Sequence, residues 1–408
     1  MPAARGAGAR GRGQYWRVGV LALVTMAAPV AMAGPASGTD RPPAPTVPRS
    51  GFDRAPLGAP RSIRVDPKTV TLLRPTQLRY STLGAGPVSS GSPATNPVVG
   101  PAAVALPTFT KAFSWNGRRY PYRMVGSDPQ GGGTRTTVAS RLVPVSLRVA
   151  GQVVAPSTAT ISTVTGSGLF TARAFPGGTG QYGDVFMRTQ FWSWLNGGTK
   201  NWHLTMARPG VLPYLVLDVP SQHGQVRTVA GVRVAFVDVD WLDARLAPTV
   251  VAADPNVLTQ ILAGNVILCS PYTTAMDNCG VGGFHSAITD QYGAHTYTYQ
   301  AYLHGALYGA GTGFSDLGPM SHELAEWMSD PFLTNTVPPW SSPLAPQYGC
   351  LDALESGDPV VGKFVRINGL AYQDEAYLPW FSRSASNSWQ GRYTWFDSLR
   401  SPSPSCTL

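Results

Sequence analysis

His322, Glu323 and Glu326 stand in the run Ser321-His-Glu-Leu-Ala-Glu-Trp-Met-Ser-Asp-Pro331, and their types and spacing could build a metal site with a base beside it. A helix advances about 100° per residue, so His322 and Glu326 project from one face a turn apart, with Glu323 at its edge. The order His-Glu-x-x-Glu copies the His-Glu-x-x-His signature of zinc peptidases, with a carboxylate in place of the second imidazole. One nitrogen and two carboxylates form a harder ligand set than two imidazoles, so zinc is the first expectation and manganese or calcium are compatible. Catalysis by such an ion needs three protein ligands and an open position. Glu355, in Cys350-Leu-Asp-Ala-Leu-Glu-Ser-Gly-Asp358, is the best third ligand. Glu323 would be the general base, taking a proton from a water acidified by the ion.

Other polar residues suit supporting roles. Asp358 and Asp352 could accept the far N–H of a ligating imidazole. Asp330 lies two turns beyond His322, about 12 Å along the axis, too far to share an ion and better placed to orient a ligand or cap a turn. His285, Tyr302 and His304 could stabilise an oxyanion or contact substrate, although each alone is more often a structural residue.

The elements that must position these groups are legible in part. Pro319 suits a first helical turn, Asp316 could cap it, and Pro331 disfavours the α conformation at Asp330, which ends the helix there. Met320, Leu324 and Trp327 would then face a core. Upstream, Asp254 and Pro255 are expected to open a helix over Val257–Leu262, followed by a strand at Asn265–Leu268. Gly280–Ser286 and the alternating Thr296–Tyr302 read as strands beside the His322 helix. Gly305–Gly313 is a glycine-rich loop without the Lys-Ser/Thr of a phosphate cradle, which disfavours nucleotide binding.

Nearer the N-terminus, Asn116-Gly117 marks a hairpin within Phe113–Val125, and Val138–Val149 is a strand. Strand-like pieces follow at Thr158–Val164, His203–Met206, Tyr214–Val219 and Val232–Asp240. Between them Asp184–Leu195 suits a helix packing Phe186, Phe191, Trp194 and Leu195 on the sheet. The expected class is α+β, with a β-rich domain over 108–250 followed by a zincin-like α+β domain over 251–408 that carries the site.

Ser321-His-Glu-Leu-Ala-Glu-Trp-Met-Ser-Asp-Pro-Phe332, together with Gly283-Phe-His-Ser286 and the downstream Cys350, Glu355 and Asp358, resembles the plant EXORDIUM/phosphate-induced extracellular family and its bacterial secreted relatives, over roughly 265–360. The resemblance implies a secreted, wall-associated protein built around a zincin-like His-Glu-x-x-Glu helix. The chain departs from the plant pattern in its Val337–Tyr348 insertion and its basic arm.

Composition agrees with export. Arg5, Arg10, Arg12 and Arg17 precede the uncharged Val18–Met32, and Ala31-Met32-Ala33 is a small-x-small cleavage signal, so residues 1–33 read as a signal peptide. Gly19 and Pro29 interrupt the run and argue against an uncleaved anchor, and no later stretch could span a bilayer. Residues 34–107, rich in Pro, Gly, Ser and Arg without sustained periodicity, read as a disordered arm. In an oxidising compartment the four cysteines suggest two disulfides, and Cys269–Cys279 with Cys350–Cys406 is the favoured pairing of the three.

The formal charge of +9 is unevenly spread: residues 34–250 carry 22 Lys/Arg against 9 Asp/Glu, and residues 251–408 carry 5 against 13. An acidic second half suits a cation site, and the basic first half reads as a solvated face. Basic residues are not interleaved with aromatics, so nucleic-acid binding is not expected. The leading expectation is a secreted zincin-like metallohydrolase, most simply a peptidase acting on peptide or cell-wall substrates. A non-catalytic extracellular or wall-binding protein is the alternative, and a glycosidase using Glu323 and Glu326 ranks last because adjacent carboxylates on one turn rarely flank a sugar.

Overall fold

The computed structural model describes residues 106–276, 278–290, 293–307 and 314–408. The expected signal peptide, nearly all of the arm and most of the Gly305–Gly313 loop lie outside them. Asn116 and Gly117, both with positive φ (46° and 75°), make the expected two-residue turn between β1 (Thr108–Trp115) and β2 (Arg118–Val125), which pair antiparallel along their whole length. β3 (Arg135–Val149) is the longest strand and turns back into β4 (Gln152–Val154).

Thr158–Val164, expected as a strand, is instead the core of helix α1 (Thr158–Thr165). Ser157 caps it by accepting from the Thr160 N–H at 3.0 Å, and Ile161 and Val164 bury one stripe. A cap contributes about 1 kcal/mol, enough to offset a few tenths per β-branched residue. A small hairpin, β5 (Arg173–Phe175) and β6 (Gly178–Gly180), leads into α2 (Tyr182–Gln190), which stops five residues before the expected end at Leu195. Phe186, Phe191 and Leu195 are buried as expected, and half-buried Trp194 stacks on Phe191.

β7 (His203–Met206), β8 (Gly210–Val211) and β9 (Leu215–Val219) pair in succession, all parallel, with β3. β10 (Gly224–Val229) and β11 (Val232–Asp238) form a hairpin. Asp238 ends that strand early, because its carboxylate accepts the Trp241 N–H at 2.8 Å and starts α3 (Val239–Val251).

Val257–Leu262, expected as a helix, belongs to strand β12 (Val257–Gly264). It runs parallel between β3 and β16 (Gly293–Tyr302), buried on both faces, where a strand reads as a continuous apolar run rather than an alternation. Asp254 accepts from Asn256 N–H in a tight turn and caps no helix. β13 (Val266–Cys269) and β14 (Cys279–Val281) precede β15 (Gly283–Asp290), which pairs antiparallel with β16.

α4 (Gly318–Ser329), β17 (Thr336–Trp340), β18 (Leu351–Ala353), β19 (Phe364–Ile367), β20 (Leu370–Gln373) and α5 (Leu378–Ser382) complete a mixed α+β, strand-rich fold. The main sheet has the order β15-β16-β12-β3-β4, with β7, β8 and β9 also on β3, and β10-β11-β13-β14 form a second sheet. Because β3 is hydrogen-bonded to β12, the stretches before and after residue 250 share this sheet.

One core packs Leu142, Leu258 and Leu262 with α2, α4 and the C-terminal aromatics. The other gathers Val143, Ile261, Phe284, Tyr297 and Tyr299 with the second sheet and α3. Cys269–Cys279 and Cys350–Cys406 are the disulfides, as expected. Among the described residues no helix is long and apolar enough to cross a membrane.

Candidate metal centre

Pro319 lies in the first turn of α4 as its chemistry requires, and the helix ends at Asp330 before Pro331. Asp316 is not its cap. It adopts φ 52° and pairs with Arg366 at 3.2 Å, while Leu317 occupies the cap position without a side-chain bond. Every residue of α4 is buried, between β15, β16, β20 and α2. His322 (8% exposed), Glu323 (4%) and Glu326 (3%) are therefore removed from water, which costs several kcal/mol per uncompensated charge.

β15 brings in His285. Alternation turns Phe284 to the opposite face, where it stacks on Tyr299 at 5.3 Å, so His285 faces α4. Glycines let the pieces approach. A Cβ on Gly283 would lie 2.7 Å from Glu323 Cγ and Oε1, and one on Gly357 would lie 2.6 Å from His322 Nδ1.

Glu326 is the hub. Its Oε1 lies 3.0 Å from His322 Nε2 and accepts the backbone N–H groups of Gly357 (3.0 Å) and Asp358 (3.3 Å). Its Oε2 faces His285 Nδ1 at 3.5 Å. Glu323 Oε2 is 3.6 Å from the same nitrogen, and Glu355 Oε2 is 3.9 Å from His285 Nε2. Asp358 Oδ1 sits 3.5 Å from His322 Nε2, and Gln373 Nε2 lies 2.6 Å from His322 Nδ1.

Ligating atoms gather within 4.8 Å in two groups that share Glu326: His285 with Glu326 and Glu355, and His322 with Glu326 and Asp358. The expected trio of His322, Glu326 and Glu355 is not one of these groups, because the loop after β18 carries Glu355 to the His285 side.

Four carboxylates thus surround two imidazoles, and the electrostatics show the excess. Burial raises Glu323, pushed up to about 7, and Glu355, well above the usual carboxylate range, where Glu326 adds repulsion. Burial and Glu326 also raise Asp358. For Glu326 burial is outweighed by His322 and His285, which hold it below the usual range. Burial opposes charge on both imidazoles, but neighbouring carboxylates override it, Glu355 at His285 and Glu326 at His322, and raise both. Glu323 Oε2 and Glu355 Oε2 have no hydrogen-bond partner among the described residues. A divalent cation would compensate both the oxygens that lack a hydrogen bond and the excess charge, so the donor set fits one.

The remaining candidates lie apart. Asp330 spends both oxygens on the Thr334 and Asn335 N–H groups, each at 3.0 Å, which makes it a turn cap. His304 and Asp352 are exposed, and Tyr302 hydrogen bonds to Asp316, so none of the three joins the cluster.

Sequence reasoning missed Gln373 and the polar layer beneath it. The Tyr182 hydroxyl lies 2.6 Å from Gln373 O and 2.8 Å from Glu375 Oε1, and Ser356 donates to Glu375 Oε2 at 2.9 Å. Their only signal is the run Gln373-Asp-Glu375 at the end of an otherwise apolar strand. No protein-family model, curated protein or solved structure matches the chain.

Proposed function

We propose that this chain is a secreted metallohydrolase of zincin-like type, most simply a peptidase. The observation that carries the reading is the buried carboxylate excess around His285, with Glu323 Oε2 and Glu355 Oε2 facing its ring at 3.6 and 3.9 Å without a hydrogen bond among the described residues. Glu326 and Glu355 hold the ion together with an imidazole, and Gly357 and Asp358 N–H groups fix Glu326. The cation, zinc first, supplies Lewis acidity to a carbonyl and to water.

Glu323 is the base. The missing side chain of Gly283 lets it pack against β15, where its Oε2 lies 3.6 Å from His285 Nδ1, beside the proposed ion. The two disulfides support export, and the resemblance of the His322 helix to the EXORDIUM family supports a wall-associated setting.

A second reading has its own observation. Every carboxylate and imidazole of the His285 group is at most 7% exposed, and an enclosed cluster suits a structural cation in a non-catalytic binding protein. Elemental analysis of the purified protein tests the shared premise: about one equivalent of metal that Glu326→Gln abolishes. Hydrolysis of a peptide library lost in Glu323→Gln, with metal retained, then selects the enzyme, and turnover unchanged by that substitution refutes it.

A further inference from the structure

The hydrogen bonds within the cluster divide the work between its two imidazoles. Gln373 Nε2 lies 3.0 Å from the Gly357 carbonyl oxygen, which fixes that end of the amide as the nitrogen, because an amide oxygen there would face another oxygen. The same Nε2 is 2.6 Å from His322 Nδ1, so Nδ1 must accept. A neutral imidazole that accepts at one nitrogen carries its proton on the other, and the imidazolium that the surrounding carboxylates favour has no free lone pair at either nitrogen. His322 Nε2–H therefore donates to Glu326 Oε1 at 3.0 Å, and neither ring nitrogen keeps a lone pair for a cation.

The His285 side has the opposite character. Its separations of 3.5, 3.6 and 3.9 Å from Glu326, Glu323 and Glu355 exceed the roughly 2.8 Å of a charge-assisted hydrogen bond. The 3.5 Å between His285 Nδ1 and Glu326 Oε2 is close to the spacing of about 3.4 Å kept by two ligands that each sit about 2.1 Å from one tetrahedral ion, and one ligand atom each from His285, Glu326 and Glu355 lies within 4.8 Å of the others.

We infer that His285, rather than the motif histidine His322, is the imidazole ligand, with Glu326 Oε2 and Glu355, and that His322 is a positioning residue locked by Gln373. This inference rests on the metal site proposed above. Its cation is a small divalent ion that accepts one nitrogen and carboxylate oxygens, zinc or manganese rather than calcium. With Oε1 held by three donors, Glu326 can turn only Oε2 towards the ion. The same tautomer argues against a second ion between His322 and Asp358.

Zinc-edge X-ray absorption on the full chain loaded with zinc tests this, since imidazoles are counted from their outer-shell scattering. Wild type is expected to show one imidazole. His285→Gln should lose that signature and most of the zinc affinity. His322→Ala should weaken zinc binding about ten- to a hundredfold while keeping the one-imidazole signature, and His322→Gln, whose amide N–H can reach Glu326, should recover the affinity.

Two imidazoles in wild type, or a signature lost with His322 and kept without His285, would overturn the inference and leave the metal site standing. Zinc-free wild type would overturn both. If a His285 variant does not fold, the wild-type count together with the two His322 variants still decides.

Discussion

Gly357→Ala probes the packing of the site without replacing a charged group. Gly357 has φ −84° and ψ −32°, an ordinary α conformation, so nothing in its backbone demands glycine. The obstacle is the His322 ring, whose Nδ1 would lie 2.6 Å and whose Cγ and Cε1 would lie 2.8 Å from the added carbon. The ring is tethered on both sides, by Gln373 at Nδ1 and Glu326 at Nε2.

Either the loop moves, which also pulls Gly357 N–H away from Glu326, or the ring gives up one of its bonds. Overpacking costs about 1–3 kcal/mol, and a lost hydrogen bond to a charged group about 1.5–3 kcal/mol. The two are alternatives in part, so the combined cost is about 2–4 kcal/mol. With an unfolding entropy of about 2.1 cal/mol/K per residue over about 300 residues, that lowers Tm by about 3–6 °C.

Differential scanning calorimetry of the chelated protein measures it, beside Gly210→Ala, where a Cβ meets nothing within 4 Å and the change should stay inside about 0.5 kcal/mol. Gly357→Ala melting together with wild type and with that control would refute the packing argument.

Three further outcomes follow from the charges of the cluster and from the contacts that anchor α4. In the metal-free protein His285 and Glu355 both bind protons more tightly than in the unfolded chain, as does Glu323 at about 7. The folded state therefore holds excess protons, and stability should fall as pH rises from about 5 through neutrality. Because a cation must displace those protons, its apparent affinity should rise over the same range, with proton release visible by calorimetry in two buffers. An affinity flat between pH 6 and 8 would sink the assignment. Asn335 accepts the Arg123 N–H (2.8 Å) and donates to Arg123 O (2.8 Å) and Ser329 O (2.7 Å), joining β2 to the end of α4. Asn335→Ala should cost about 2–4 kcal/mol in denaturant unfolding, and a loss under about 0.5 kcal/mol would show that the bonds are replaced.

What was legible in the sequence was local. The α4 boundaries follow from Pro319 and Pro331, the β1–β2 turn from Asn116-Gly117, and the disulfides from four cysteines in an expected oxidising setting. The errors arose where local signals are ambiguous. Val257–Leu262 is apolar on every side because β12 is covered on both faces, and a short apolar run of that kind has no periodicity to separate strand from helix. At α1 one serine cap and two buried apolar side chains, Ile161 and Val164, outweighed a β-branched composition.

The candidate site divides along the same line. The motif put His322, Glu323 and Glu326 on one helix, but the neighbours that set their chemistry are distant in the chain: His285 on β15, Glu355 after β18, and Gln373 on β20, 51 residues from His322. No periodicity encodes which nitrogen of His322 carries the proton, since that depends on which end of a remote amide faces it. Two glycines do carry a trace of the arrangement. Gly283 and Gly357 are glycines for lack of space against Glu323 and His322, and neither needs a left-handed φ. A glycine two residues before His285 and another two residues after Glu355 are thus the marks of backbone pressed against the α4 side chains. Their substitution should disturb the site before it disturbs the strand or turn in which each one sits.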